Sequence, residues 1–117
     1  MSLLPKILER RQQAQRLELV LDMDPGLTVF QGHFPGAPIV PGVAQLDWAI
    51  RLGAAHFGLA LASQRLEAIK FQRLITPGLP LTLTLEYHQD KGKLHFQYDS
   101  EHGCHGSGRV LLAEEGP

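Results

Sequence analysis

The sequence holds a single cysteine, Cys104, so no disulfide can close within the chain. That excludes the disulfide-stapled scaffolds of small secreted proteins and fits a reducing compartment. Neither sign of charge prevails: 11 Lys and Arg stand against 12 Asp and Glu, a formal net charge of -1. A nucleic-acid binder needs a basic field to displace counterions, and none is present. No apolar run approaches the roughly 18–20 residues that cross a bilayer. The stretch from Met1 to Gln13 turns charged at Lys6, Glu9, Arg10 and Arg11, unlike the apolar stretch of a secretory signal. The chain is therefore expected to be cytoplasmic, with neither nucleic acid nor membrane as a partner. Fingerprints of several large enzyme classes are missing too. No G-x-S-x-G surrounds Ser63, Ser100 or Ser107, and there is no phosphate loop or dinucleotide fingerprint.

What is present suits one globular domain over residues 1–117, with 44% hydrophobic and 20% charged residues. Leu4, Ile7 and Leu8 share helical spacing around Pro5 and predict a short N-terminal helix. Residues 17–22 alternate and predict a strand, followed by a turn at Asp24-Pro25-Gly26. Residues 30–42 carry Pro35, Pro38, Pro41, Gly32, Gly36 and Gly42, which exclude helix and central strand. Phe30, Phe34, Ile39 and Val40 in the same stretch argue for a rigid, partly buried loop, a common seat of chemistry. Residues 43–58 read as a helix apolar nearly all round, and so buried on most sides. Gly53 would let another backbone approach it. Strands are predicted at 66–74, 81–88, 94–99 and 106–113, with turns at Thr76-Pro77-Gly78 and Asp90-Lys91-Gly92, and the tail from Ala113 is expected to fray. One antiparallel sheet covers a buried helix only by curling around it, an α+β arrangement.

Several residues could carry chemistry. His33 sits in the rigid loop, and imidazole is the side chain best matched to moving a proton near neutral pH. Its alternative is a hydrogen-bonded structural histidine. Asp47 lies in the first turns of the helix. It is either a buried acid or one half of an i,i+4 pair with Arg51. Gly42 and Val43 open the helix, where free N–H groups could stabilise an oxyanion, although an ordinary Pro-Gly turn gives the same pattern. His102, Cys104 and His105 cluster without a tight zinc spacing and read as a loop before an edge strand. His56 reads as a packed core or interface residue. His88 and His95 face outward by alternation.

Together these residues resemble a known family. The segment GHFPGAPIVPGVAQLDWA, residues 32–49, resembles the active-site segment of the β-hydroxyacyl-acyl-carrier-protein dehydratases, H-F-P-G-x-P-x-x-P-G and a helix carrying Glu or Asp. LLPKILERR resembles that family's N-terminal Leu-Leu-Pro helix, and LEAIKFQRLITPG its strand ending in a proline-glycine turn. The acid is Asp where the commonest branch has Glu, and the run Gln45 to Trp48 is similar to the dehydratases of aryl-polyene gene clusters. The resemblance implies the hotdog fold, a curled antiparallel sheet wrapped around one long helix. It implies dehydration of a 3-hydroxyacyl thioester in fatty-acid or aryl-polyene type biosynthesis, with His33 as base and Asp47 assisting departure of the β-hydroxyl. Gly42 and Val43 would bind the thioester oxygen, and Phe34, Pro35 and Trp48 would line the substrate pocket. No metal or organic cofactor is implied. The acyl group would arrive on the phosphopantetheine of an acyl carrier protein or coenzyme A. Apart from the resemblance, Arg51, Arg65, Lys70 and Arg73 read either as a basic rim for an acidic carrier or as ordinary solvated charges. The assembly implied is a homodimer, or a higher oligomer of dimers, in which His33 of one chain faces Asp47 of the other. Two other readings of such a fold are an acyl thioesterase and a non-catalytic acyl-binding or dimerisation subunit.

Overall fold

A computed structural model describes residues 4–31, 38–61 and 64–112. Six strands form one antiparallel sheet: β1 (Ile7–Gln13), β2 (Arg16–Leu21), β3 (Arg65–Phe71), β4 (Leu81–His88), β5 (Lys93–Ser100) and β6 (Gly103–Leu111). Their order is β1-β2-β4-β5-β6-β3. A 3-10 turn, Thr28–Phe30, precedes the loop, and one long helix, α1 (Gly42–Phe57), follows it. The sheet curls around this helix, which is the hotdog arrangement expected from the sequence.

Alternation makes the sheet. Leu17, Leu19 and Leu21 of β2, Leu81, Leu83, Leu85 and Tyr87 of β4, and Leu94, Phe96 and Tyr98 of β5 are all buried on one face. Thr82, Thr84, Glu86 and His88 point the other way and are half-buried. His88 and His95 lie on that outer face as expected, with ring centroids 4.2 Å apart. Turns fall at the predicted places. Asp24 caps its own turn through Gly26 N–H to Oδ1 at 2.8 Å, and Gly92 takes φ 61° between β4 and β5.

The expected N-terminal helix is not formed. Ile7–Gln13 is an edge strand paired with β2, and Asp22 N–H donates to the Lys6 carbonyl at 2.9 Å. A helix of two turns is marginal in water, whereas β2 offers a full ladder of backbone partners. The predicted strand at 66–74 ends earlier, at Phe71, and Gln72–Leu74 leaves the sheet. The last strand starts at Gly103 rather than 106, because the β5–β6 turn is tight and Gly103 adopts φ 103°. Cys104 and His105 are therefore inside β6, not in a loop. β6 is an interior strand, since β3 returns to take the edge. The tail from Ala113 lies outside the described residues.

The helix buries one broad face rather than most of its sides. Ala44, Gln45, Trp48, Ala49, Ile50, Gly53 and Ala54 are buried, while Val43 is 77% exposed. A single sheet covers only one side, so Leu46 and Leu52 remain partly open. The helix stops at Gly58, whose φ of 68° suits a residue without Cβ. Gly53 does admit a close neighbour, but it is the Leu94 side chain and not a backbone: a Cβ there would sit 2.5 Å from Leu94 Cδ2. Gly53→Val is therefore expected to cost about 1–3 kcal/mol by overpacking. Urea denaturation of the variant beside wild type checks this. Among the described residues no helix is long and apolar enough to cross a membrane.

Candidate active site

The start of α1 is built by a proline stop. Pro41 is extended, with ψ 152°, and its carbonyl accepts the Ala44 and Gln45 amides at 3.0 and 3.2 Å. The Gly42 and Val43 N–H groups have no acceptor within the helix, as at any helix start. Gly42 opens on a cavity of about 290 Å³, walled by Ile39, Val40, Pro41 and Gln45 on one side and by Phe71, Gln72, Arg73 and Leu74 on the other. The Phe71 ring lies so close over Gly42 that a Cβ there would be 2.7 Å from Phe71 Cε2. Any other residue would push the ring aside. Val43 points away from these walls into solvent.

The loop's downstream end is pinned from two sides. Val40 N–H donates to the Ile75 carbonyl at 2.9 Å, and Gln45 Nε2 donates to the Val40 carbonyl at 3.1 Å. Gln45 is buried, and its Oε1 has no hydrogen-bond partner among the described residues. Its backbone carbonyl accepts the Tyr98 hydroxyl at 2.6 Å. Burial pushes the Tyr98 phenol well above its ordinary range, and the nearby Asp47 charge adds to the effect. Tyr98 thus stays a neutral donor that ties the helix to β5.

Asp47 lies five residues beyond Gly42 on the same helix, half-buried and not among the cavity's walls, with Oδ2 3.2 Å from Arg51 Nη1. The i,i+4 pair foreseen in the sequence is present. It leaves about a third of each side chain accessible, 34% for Asp47 and 32% for Arg51. Arg51 is thus engaged on the helix, whereas Arg65, Lys70 and Arg73 are exposed on β3 and the segment after it. Trp48, expected at the pocket, is fully buried in the core and is not among the cavity's walls. His33, Phe34 and Pro35 lie outside the described residues. His56 is half-buried, edge-on to Phe57 at 4.7 Å, and burial lowers its pKa, with Arg10 adding to the shift.

Several contributors were not singled out from sequence: Gln45, Phe71, Gln72 and Leu74, while Arg73 was read only as a surface charge. Gln45 was visible only as part of the run before Asp47. Phe71 was one apolar residue of a strand, and its approach to Gly42 spans 29 positions.

A helix start whose positive dipole end faces an apolar cavity suits an acyl group whose carbonyl gains negative charge. One antiparallel sheet curled around that helix makes the protein a hotdog-fold protein. More narrowly, the chain belongs to the ApeI-like family, the ApeI dehydratases, whose model matches residues 9–109. It superposes on the dehydratase heterocomplex ApeI:P from Xenorhabdus doucetiae with a TM-score of 0.85 and 34% identity, covering 96% of this chain and 100% of that one. An uncharacterized protein from Erwinia carotovora subsp. atroseptica gives a TM-score of 0.81 and 37% identity, covering 96% and 98%. The 3-hydroxyacyl-[acyl-carrier-protein] dehydratase FabZ of Erythrobacter litoralis is 36% identical over 69% of this chain. The chain spans 60% of that protein and 64% of its counterpart in Novosphingobium aromaticivorans, less than two thirds of either.

Proposed function

We propose that the protein dehydrates a 3-hydroxyacyl thioester, carried by an acyl carrier protein, to the trans-2-enoyl thioester in fatty-acid or aryl-polyene type biosynthesis in the cytoplasm. The observation that carries this reading is the Gly42 amide at the start of α1, opening on an apolar cavity.

In this reading the Gly42 N–H, backed by Val43 and the helix dipole, binds the thioester carbonyl. His33 takes a proton from C2, and the carbonyl oxygen holds the charge that develops. The C2–C3 double bond forms as the C3–O bond breaks. The departing hydroxyl takes up the proton that His33 removed and leaves as water, assisted by Asp47 directly or through a bound water. Acid–base assistance of this kind supplies about 10²–10⁴-fold. Losing one oxyanion donor costs about 10²–10³-fold. Base, acid and oxyanion donor all come from the polypeptide, so the scheme calls for no metal or organic cofactor. Phe34 and Pro35 would flank the acyl chain, with Trp48 supporting the helix from the core. Arg73 at the cavity wall, with Arg65 and Lys70 on the same edge, would receive the acidic carrier.

The scheme also calls for a second subunit. The outer edge of β3 is unpaired among the described residues, and Leu66, Phe71 and Leu74 are exposed on β3 and just beyond it. A second copy pairing there would cover them. The Xenorhabdus doucetiae relative was solved as a heterocomplex, so the test below uses this chain alone.

The purified protein is incubated with a 3-hydroxyacyl thioester. Appearance of the conjugated enoyl thioester supports the reading. Release of free thiol would make the protein a thioesterase instead, and no reaction would leave an acyl-binding subunit.

A further inference from the structure

His105 is a buried titratable side chain that the scheme above does not use. It is 4% exposed, in β6, and both ring nitrogens are engaged. Nδ1 lies 3.0 Å from the Leu74 carbonyl, and Nε2 lies 2.6 Å from Ser100 Oγ. A carbonyl oxygen only accepts, so Nδ1 carries the proton and donates. In the neutral ring Nε2 then accepts from the Ser100 hydroxyl. Ser100 Oγ in turn accepts the His102 amide at 3.1 Å, which fixes the hydroxyl's direction.

The backbone of the same residue holds the same segment. The His105 carbonyl accepts the Gln72 and Arg73 amides at 2.8 and 3.2 Å. Gln72, Arg73 and Leu74 form the cavity wall facing Gly42, beyond the end of β3. Three bonds from one residue therefore set where that wall stands. The next residue passes the constraint on: the Ile75 carbonyl accepts the Val40 amide, and Val40 takes the Gln45 amide group. A continuous set of hydrogen bonds thus runs from the β5–β6 turn, through His105 and the wall, to the start of α1.

We propose that His105 is a positioning residue for the thioester cavity: its Nδ1–H to Leu74, oriented by Ser100, sets the wall opposite Gly42 that the thioester arm must fit. The inference rests on the reading of the cavity as an acyl thioester site. Such a cavity rewards accurate placement, since a shift of about 1 Å can cost on the order of 10²-fold.

Two polar substitutions separate positioning from bulk stability. In His105→Asn the side-chain NH2 falls near the place of Nδ1 and can still donate to Leu74. In His105→Gln it falls near the place of Nε2, keeps Ser100 and loses Leu74. Melting temperature, the Kd for an enoyl-pantetheine thioester, and KM and kcat with the 3-hydroxyacyl-pantetheine are measured for both in the full chain. His105→Asn is expected to hold Kd and KM within about threefold of wild type. His105→Gln should raise both by roughly tenfold, with kcat changed less. If the two variants lose affinity equally, in step with their melting temperatures, the residue is only structural and the proposal falls. It also falls if His105→Gln binds like wild type, or if the wild-type chain does not bind the thioester. Should the wild type bind without dehydrating, the functional reading is what fails, and the Kd contrast still decides the role of His105.

Discussion

Replacing His33 with alanine is expected to lower dehydration by about 10²–10⁴-fold while leaving the melting curve unchanged. The proton next to a thioester carbonyl is weakly acidic, so its removal needs a base held within hydrogen-bond reach and poised near neutral pH. Both flanks of the loop that bears His33 are built to hold one. On the upstream side Val29 and Phe30 are buried, and Gln31 N–H donates to the Thr28 carbonyl at 3.0 Å. On the downstream side Val40 is buried and bonded to Ile75 and Gln45. None of these anchors involves the imidazole, which is why its removal should spare the fold. A thioesterase that directs water with Asp47 alone would keep most of its turnover in this variant. Near-normal dehydration with an unchanged melting temperature would show that the base lies elsewhere. A matched loss of both would make His33 a structural histidine.

The sheet was legible in the sequence where one face is buried and the other is wet. Leu81, Leu83, Leu85 and Tyr87 mark β4 because a period of two has no helical reading over eight residues. β1 was misread because Leu4, Ile7 and Leu8 fit a short helix as well as a strand. Its pairing with β2 depends on a turn at Ala14 and Gln15, with Ala14 at φ 42°, for which no Gly or Asn gave a cue. The helix ends were legible from Pro41 and Gly58, but its buried face was not. A helix apolar all round looks equally ready to pack on every side, and only the sheet decides which side is covered.

The site was legible to a different degree. Gly42 and Asp47 are placed by the helix itself, so their spacing in sequence is their spacing in space. The i,i+4 pair of Asp47 with Arg51 follows for the same reason. What surrounds them is long-range. His105 looked like part of a loose metal-like cluster because His102 and Cys104 are its neighbours in the chain. Its actual partner Leu74 lies 31 positions away, reached because β3 crosses back to pair with β6. The Gly106 position belongs to the same junction: a Cβ there would meet the Lys70 carbonyl at 3.1 Å and Gln45 Oε1 at 3.2 Å. Such junctions are set by tertiary pairing, and no local pattern announces them.

Mixing two inactive variants, His33→Ala and Asp47→Asn, is expected to restore activity. The argument starts from what one chain leaves open. β3 presents an unpaired outer edge among the described residues, and Leu66, Phe71 and Leu74 are 47%, 47% and 66% exposed beside it. Two chains joined there by a two-fold axis would bring a second copy against the cavity wall that contains Phe71 and Leu74. Each dimer would hold two sites, and each site would take His33 from one chain and Asp47 from the other. A mixed dimer then has one site with both residues damaged and one with both intact. With random exchange about half of the dimers are mixed, so recovery should approach roughly a quarter of wild type, given independent sites. Subunit exchange is verified separately with differently tagged chains, and light scattering gives the assembly size. If exchange is demonstrated and activity stays at the level of the parents, His33 and Asp47 serve the same chain's site. If the chain is monomeric and wild-type protein is nevertheless active, the site is complete within one copy, and the edge of β3 has another use.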